Sequence, residues 1–249
     1  MIQTINVSLS YNNGVQALRN VSIRIGRGEF VFIVGATGSG KSSLLKLLNR
    51  EEVPTSGQVL VDGKDVVRMR PWQVPRLRRS VGVVFQDFRL LPQRTVWENI
   101  AFALHVIGAP GREVRRRTSA ALEVVNVAAK ADAYPHEISG GEQQRASIAR
   151  AIVNNPPILL ADEPTGNLDP DTSWEIVSVL ERIHQKGTTV LVASHDKTIV
   201  DRLQKRVIEF DHGKVVRDEQ EGRYGAEEEP VWAPSGRDWH LRTLLKGDT

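Results

Sequence analysis

A glycine-rich stretch, "GATGSGKSS" at residues 35–43, contains the first residues whose types and spacing point to chemistry. It follows the apolar run "FVFIV" and precedes "KSSLLKLLNR", in which leucines recur at helical spacing. Glycines in such a loop let backbone amides approach phosphate oxygens at the start of a helix, while Lys41 supplies a positive charge and Ser42 a hydroxyl for Mg²⁺. The order of strand, glycine-rich loop and helix therefore predicts a phosphate-binding loop, or P-loop.

Two further candidates follow apolar runs typical of buried strands. Asp162 ends "ILLAD", where a carboxylate can reach a metal ion, and Glu163 beside it can take a proton from an attacking water. The alternative is an exposed Asp-Glu turn before Pro164. His195 follows "TVLVAS", at the strand end where α/β sheets bind ligands, and is a candidate sensor of a terminal phosphate. Taken alone, such a histidine is more often structural.

The stretch "SGGEQQR" at residues 139–145 opens another predicted helix. Ser139 and Glu142 have the spacing of a capping box, in which the two side chains satisfy unpaired amides at a helix start. That interpretation leaves Gly140 and Gly141 unexplained, because adjacent glycines cost backbone entropy at a helix start. The pair therefore indicates a function beyond helix capping.

Composition limits the possible classes of protein. The chain has 249 residues, 40% of them hydrophobic and 25% charged, and no cysteine, which excludes disulfides, thiolate metal sites and a cysteine nucleophile. No apolar run approaches the roughly 18 residues needed to cross a bilayer, and the start lacks the pattern of a signal peptide. We therefore expect a cytoplasmic protein.

The positive charge is concentrated in one stretch of the sequence. Residues 68–117 contain eleven arginines and three acidic residues. Such a stretch is consistent with binding to nucleic acid, with binding to an anionic membrane surface, or with a face that is merely solvated.

Periodicity predicts an α/β core with a helical insertion. Alternating strands are expected at 5–9 and 21–25, a hairpin around Asp62-Gly63, and buried strands at 30–35, 81–85, 158–162 and 189–194. Between Phe85 and Pro156 the pattern becomes helical, with a capping box at Thr95 and Glu98. A closing hairpin is expected at 207–217. Residues 218–249 are acidic and weakly periodic, which predicts a flexible tail that Trp232 and Trp239 could dock.

The motifs "GATGSGKSS", "VFQDFRLLP", "ISGGEQQR", "ILLADE", "NLD" and "SHD" resemble, in order and spacing, those of the ATP-binding-cassette (ABC) ATPases. The resemblance covers residues 1–217 and implies that they form one ATPase domain, followed by the tail at 218–249. It implies an α/β fold of the P-loop NTPase type, with a RecA-like core and an antiparallel β subdomain. An α-helical subdomain is inserted at about 87–155.

The resemblance also implies residue roles in binding ATP and Mg²⁺. Tyr11 stacks on adenine, Gln86 contacts the metal and links core to helical subdomain, and Asp169 contacts the second protomer. Catalysis is assigned to Glu163, His195 and Lys41, and metal binding to Ser42, Gln86 and Asp162. The full nucleotide-binding set comprises Tyr11, Gly35, Ala36, Thr37, Gly38, Ser39, Gly40, Lys41, Ser42, Ser43, Gln86, Ser139, Gly140, Gly141 and Asp169. "ISGGE" and "GNLD" depart from the family's commoner LSGGQ and SALD without removing a phosphate or metal contact.

The resemblance answers the question raised by Gly140 and Gly141. In these ATPases the serine, glycines and helix end bind the γ-phosphate of ATP held by the other protomer's P-loop. A homodimer around two ATP molecules is therefore implied.

Within the family, "LLKLL" and "VPRLRRSVGVVFQDFRLLPQRTVWENIA" look most like the cell-division members. This implies an FtsX-like polytopic membrane protein as partner, regulation of cell-wall hydrolysis, and a peripheral position on the cytoplasmic membrane face at the septum. The membrane surface would be contacted indirectly, and no nucleic acid is expected. In the family the segment after Gln86 receives a cytoplasmic helix of the membrane partner. Its bulky residues Phe88, Leu90, Leu91 and Trp97 could instead pack internally.

Three alternatives remain at this point. The chain could serve a lipoprotein-release or macrolide-type exporter, or act on DNA or ribosomes as a soluble ABC ATPase. Ribosome-type members of the family usually join two cassettes in one chain, and DNA-repair types insert long coiled coils, so neither fits 249 residues without heptads. The chain could also bind nucleotide without catalysis, although the presence of Glu163 and His195 disfavours this last possibility.

Overall fold

A six-stranded, mostly parallel sheet forms the centre of the protein, whose computed structural model describes residues 1–224. Its strands are β3 Phe30–Val34, β6 Val81–Val84, β7 Ile158–Asp162, β8 Thr189–Ala193, β9 Arg206–Asp211 and β10 Lys214–Glu219. The strand order is β10-β9-β3-β8-β7-β6, and within this sheet the pairing of β10 with β9 is antiparallel and every other pairing is parallel. Every residue of β3 and β8 is buried, which explains their unbroken apolar runs.

A second, antiparallel sheet consists of β1 Ile2–Ser10, β2 Gln16–Ile25, β4 Ser56–Val61 and β5 Lys64–Asp65. The strand order is β2-β1-β4-β5. Residues alternate between exposed and buried in the second half of β2, from Asn20 to Ile25, as expected for a sheet with one face on the core. The predicted hairpin is present, with Val61 paired to Lys64 across Asp62-Gly63.

Seven α-helices connect and cover the sheets in the described part of the chain. They are α1 Lys41–Leu48, α2 Val74–Arg79, α3 Val96–Val106, α4 Gly111–Val124, α5 Gly140–Ile152, α6 Pro170–Gln185 and α7 Lys197–Leu203. Helices α3, α4 and α5 lie between β6 and β7 in the chain and pack on one another. The capping box of α3 is confirmed, because Glu98 N–H donates to Thr95 Oγ1 and Thr95 N–H to Glu98 Oε2. Within residues 1–224, every helix is too short or too polar to cross a membrane.

Packed structure continues past residue 217, where the sequence led us to expect the start of a tail. Asp218 lies in β10 and accepts two hydrogen bonds from the Arg206 guanidinium, both at 2.8 Å. The Tyr224 amide donates to Asp201 Oδ1 of α7 at 2.6 Å. Residues 225–249, which hold most of the expected tail and both of its tryptophans, lie outside the described residues.

Candidate nucleotide-binding and catalytic site

The predicted P-loop connects β3 to α1, and two of its glycines are required by backbone geometry. Gly35 has a φ of 135°, and a Cβ there would lie 2.1 Å from the Phe210 carbonyl oxygen. Gly40 has a φ of 112°, and its Cβ would lie 2.6 Å from the Ala17 carbonyl oxygen. No other residue type fits both the conformation and the space. The loop can therefore turn its backbone amides toward an anion at the start of α1.

Within the loop, Lys41 and Ser39 are buried, whereas 36–38 are exposed. The Lys41 ammonium donates to the carbonyl oxygens of Gly35 at 2.8 Å and Ala36 at 3.1 Å, and lies 3.7 Å from Glu163 Oε1. A buried cation is thus held over the loop by local acceptors. It can compensate phosphate charge without a large rearrangement.

Asp162 ends β7 and accepts a hydrogen bond from Ser42 Oγ at 2.8 Å. Burial raises the pKa of the Asp162 carboxyl; the Ser42 hydrogen bond opposes this rise and the Glu163 carboxylate adds to it. A divalent cation would offset the free-energy cost of keeping this buried carboxyl ionised. Hydroxyl and carboxylate oxygens are ligands that Mg²⁺ prefers. Mg²⁺ is usually bound by one or two carboxylates together with substrate phosphates. Ser42 and Asp162 therefore fit the ion as part of a nucleotide complex.

Gln86 is exposed beyond β6, and its amide nitrogen lies 3.1 Å from the position of a Cβ built on Gly166. The side chain therefore lies over the turn that follows Glu163. The hydroxyl of Tyr11 lies 3.1 Å from Ser43 Oγ in the first turn of α1.

Glu163 is the most constrained of the candidate catalytic residues. It has a φ of 48°, the left-handed region that non-glycine residues seldom adopt, and such strain concentrates at functional sites. Its amide donates to the Ala193 carbonyl oxygen, and its Oε2 lies 2.7 Å from His195 Nδ1. The structure therefore gathers Lys41, Asp162, Glu163 and His195 at the carboxyl edge of the parallel sheet.

The second glycine pair lies at the start of α5. The predicted capping box is confirmed, because Glu142 N–H donates to Ser139 Oγ at 3.3 Å and Ser139 N–H donates to Glu142 Oε2 at 2.8 Å. A Cβ on Gly141 would lie 2.4 Å from Thr172 Cγ2, so α5 and α6 approach too closely there for a side chain. A Cβ on Gly140 would lie 3.4 Å from Leu168 and 3.9 Å from Phe88, which are ordinary contact distances.

Asp169 caps α6 by accepting a hydrogen bond from the Thr172 amide at 3.0 Å. Hydrogen bonding from the Thr172 side chain, and then from its amide, lowers the pKa of the Asp169 carboxyl. The starts of α5 and α6 thus form one cluster of predicted site residues. None of the hydrogen bonds or ion pairs among residues 1–224 joins Ser139, Gly140 or Gly141 to the P-loop. A single chain therefore presents the predicted residues as two separate groups.

Helix α5 carries two connecting residues that the sequence analysis missed. Gln144 is fully buried, and its amide donates to the Pro164 carbonyl oxygen at 2.8 Å. Arg150 donates to the carbonyl oxygens of Phe88 at 2.8 Å and Arg89, two residues in the left-handed region. The helix that begins at Ser139 is thereby tied both to the turn after Glu163 and to the segment after Gln86. Gln144 could have been found in the sequence as a polar residue among the apolar positions of the buried helix face.

Tyr224 is another residue near the P-loop that could not be assigned from the sequence. Its ring packs on the core, and its hydroxyl meets the backbone of Gly35. Burial raises the pKa of the Tyr224 phenol, although the Gly35 contact opposes this shift.

Gln144→Leu is expected to lower the free energy of unfolding by about 1–3 kcal/mol, because the buried Pro164 carbonyl would lose its donor. Chemical denaturation measures the change. Gln185→Leu, at an exposed position of α6, controls for the added hydrophobicity. Equal stability of the two variants would contradict a structural role for the Gln144 hydrogen bond.

Comparison with known proteins agrees with this geometry. The sequence pattern of the ABC transporter family matches residues 18–166. The cell division ATP-binding protein FtsE of Bacillus subtilis (strain 168) is 52% identical over 226 residues, an alignment that covers 91% of this chain and 99% of that protein. FtsE of Escherichia coli (strain K12) is 46% identical over 213 residues, which cover 86% of this chain and 96% of that protein.

Among solved structures, the dimeric post-hydrolysis state of the ATP-binding cassette MJ0796, bound to ADP and Pi, is similar with a TM-score of 0.82 and 36% identity. The match covers 90% of this chain and 100% of that one. The predicted fold class is confirmed by this likeness and by the two sheets described above. The family pattern spans more than half of the chain and the FtsE relatives match it along nearly their whole length, so this protein belongs to the ABC transporter family as an ATP-binding cassette that hydrolyses ATP.

Proposed function

We propose that this protein is the ATPase of a cell-division complex, working as a Mg²⁺-dependent homodimer on an FtsX-like polytopic membrane protein to regulate cell-wall hydrolysis. The observation that carries the proposal is the 52% identity to a cell-division ATP-binding protein along 99% of that relative. The protein would act at the cytoplasmic face of the membrane, at the septum.

Each group at the carboxyl edge of the sheet has a role in this proposal. Lys41 and the P-loop amides would bind the β- and γ-phosphates, and Ser42, Asp162 and Gln86 would hold Mg²⁺, which would supply positive charge beside the phosphates. Glu163 accepts the proton of the attacking water, while the 2.7 Å contact to His195 orients its carboxylate. Tyr11, beside Ser43, stacks on adenine.

The homodimer is supported by the separation of the two groups within one chain. Ser139, Gly140 and Gly141 present a capped helix N-terminus, which favours an anion such as a terminal phosphate. The related cassette MJ0796 has been solved as a dimer. In the proposed dimer the α5 start of one chain faces the P-loop of the other, and Asp169 contributes to the contact.

A surface groove supports the proposal that the chain binds a membrane partner. This partner groove has a volume of about 430 Å³ and lies between the core and the helices α3 and α5. Of the bulky residues expected there, Leu90 and Trp97 pack against the core, whereas Leu91 is exposed and lines the groove with Phe102. Arginines 78, 79, 89 and 150 also line it. The groove therefore suits a helix that presents apolar and acidic side chains.

Leu91→Ala or Phe102→Ala is expected to cost about 2 kcal/mol or more of partner binding, as truncation of a hot spot does. Co-purification of the partner from detergent-solubilised membranes, with ATP binding as the check on folding, measures the effect. Val106→Ala is the matched control, since Val106 is 64% exposed on α3 and does not line the groove. If the three variants recover the partner equally, the groove is not the docking site.

The identity of the recovered partner tests the cell-division role itself. Affinity purification from the native host should recover one polytopic protein, and depletion of this chain should block septation. Recovery of a substrate-carrying permease with normal division would instead favour lipoprotein release or macrolide-type export.

A further inference from the structure

An exposed tryptophan surrounded by cations lies between β5 and α2. Trp72 is 68% exposed, the largest exposed fraction among the large hydrophobic side chains of residues 1–224. It sits in a 3₁₀ turn, Pro71–Gln73, immediately before α2, and the Arg70 guanidinium carbon lies 5.2 Å from the ring centroid. The Trp72 patch, as we call it, consists of Lys64, Arg68, Arg70, Trp72 and Arg76.

The patch surrounds a recess of about 500 Å³ whose walls are both cationic and apolar. Lys64, Arg68 and Arg76 line it together with Met69 and Leu77. Such a recess can take a group with a negative head and an apolar body.

One acidic group, Asp65, lines the recess, and it already has several partners. It accepts hydrogen bonds from Gln58 Nε2 at 2.9 Å and from the Val67 amide at 3.0 Å, and lies 3.6 Å from Arg68 Nε. Residues 64–79 contain six cationic residues against this single carboxylate. Most of the positive charge of the patch is therefore not neutralised within the segment.

Helix α2 separates the patch from the partner groove. Arg76 and Leu77 line the recess on one side of the helix, whereas Arg78 and Arg79 line the groove on the other. If the groove receives a membrane protein, the patch lies next to it and close to the bilayer surface. The inference rests on the proposed function for this orientation.

We propose that the Trp72 patch binds anionic lipid headgroups at the membrane surface. Arginine pairs with phosphate through two parallel hydrogen bonds, and tryptophan prefers the boundary between headgroups and acyl chains. A single-stranded nucleic acid would instead need a cationic groove with aromatic side chains placed for successive bases. The patch offers one aromatic ring beside a single recess, which favours lipid.

Flotation of the purified full-length protein with vesicles tests the proposal. Vesicles of equal parts phosphatidylglycerol and phosphatidylcholine should bind the protein, and vesicles of phosphatidylcholine alone should not. The double variant Arg68→Gln, Arg76→Gln should weaken binding about 25-fold, which corresponds to about 1 kcal/mol for each arginine near the surface. Trp72→Ala should weaken it as well.

The matched control is Arg112→Gln, Arg115→Gln, which removes the same charge from exposed positions of α4. It should leave vesicle binding unchanged, and all variants should retain ATP binding as evidence of folding. Equal loss in the patch and α4 variants would overturn the proposal, and so would no loss in the patch variants or tighter binding to single-stranded DNA than to the anionic vesicles.

The vesicle assay contains no membrane partner, so its outcome is distinguishable from that of the groove experiment. Leu91→Ala should lose binding to the partner and keep binding to vesicles. The patch variants should keep binding to the partner and lose binding to vesicles.

Discussion

Glu163→Gln is expected to bind ATP with near-normal affinity while ATP turnover falls by about 10²–10⁴-fold, the range attributed to general base catalysis. The amide keeps the shape of the side chain and one oxygen, but it cannot accept the proton of the attacking water. Release of phosphate at saturating ATP measures turnover, and equilibrium binding of ATP measures affinity. Glutamate and glutamine have the same unbranched β-carbon, so we expect residue 163 to keep its left-handed backbone conformation in the variant.

The same variant should accumulate as an ATP-bound dimer, because hydrolysis no longer resolves the complex. Light scattering with and without ATP detects the change in mass. Glu123→Gln, an exposed position on α4, is the matched control for loss of one carboxylate. Near-normal turnover in Glu163→Gln would contradict the role proposed for Glu163.

Mixing two inactive variants is expected to restore ATP hydrolysis if each site is shared between chains. Lys41→Ala removes the cation that compensates phosphate charge, and Gly140→Asp places a carboxylate where the other protomer's phosphate would bind. In a heterodimer both lesions fall in one site and leave the second site intact. Random pairing of equal amounts should restore about a quarter of the wild-type sites in a two-fold dimer.

The structure decides which glycine to replace in this experiment. A side chain at Gly141 would collide with Thr172, so its substitution disturbs folding as well as binding. Gly140 has room for a side chain, and an aspartate in the first turn of a helix favours the helix. A mixture in which both chains carry Lys41→Ala, one of them with Gly140→Asp, should stay inactive. If the first mixture is also inactive after dimers are detected, the shared-site proposal fails.

The features that could be predicted from the sequence are those specified by neighbouring residues. The P-loop followed from an apolar strand, glycines and Lys41 in a row, and both capping boxes from residues three apart. Gln144 could not be assigned in this way, because its partner Pro164 is brought near only when α5 packs beside β6 and α6. The same holds for the contact of Gly141 with Thr172, which sequence spacing does not reveal.

Leu91 and Trp97 show a further limit. Both are bulky apolar residues in the same segment, yet one is exposed in a groove and the other packs against the core. Composition predicts that the segment is apolar, and only the tertiary structure shows which side chain remains available to a partner.

The contacts of Tyr224 have a consequence for the P-loop. Its amide donates a hydrogen bond to Asp201 of α7, its ring packs on the core, and its hydroxyl meets the backbone of Gly35. One residue thus links α7 to the first glycine of the phosphate-binding loop. A displacement of α7 would therefore be passed through Tyr224 to the loop that binds the nucleotide.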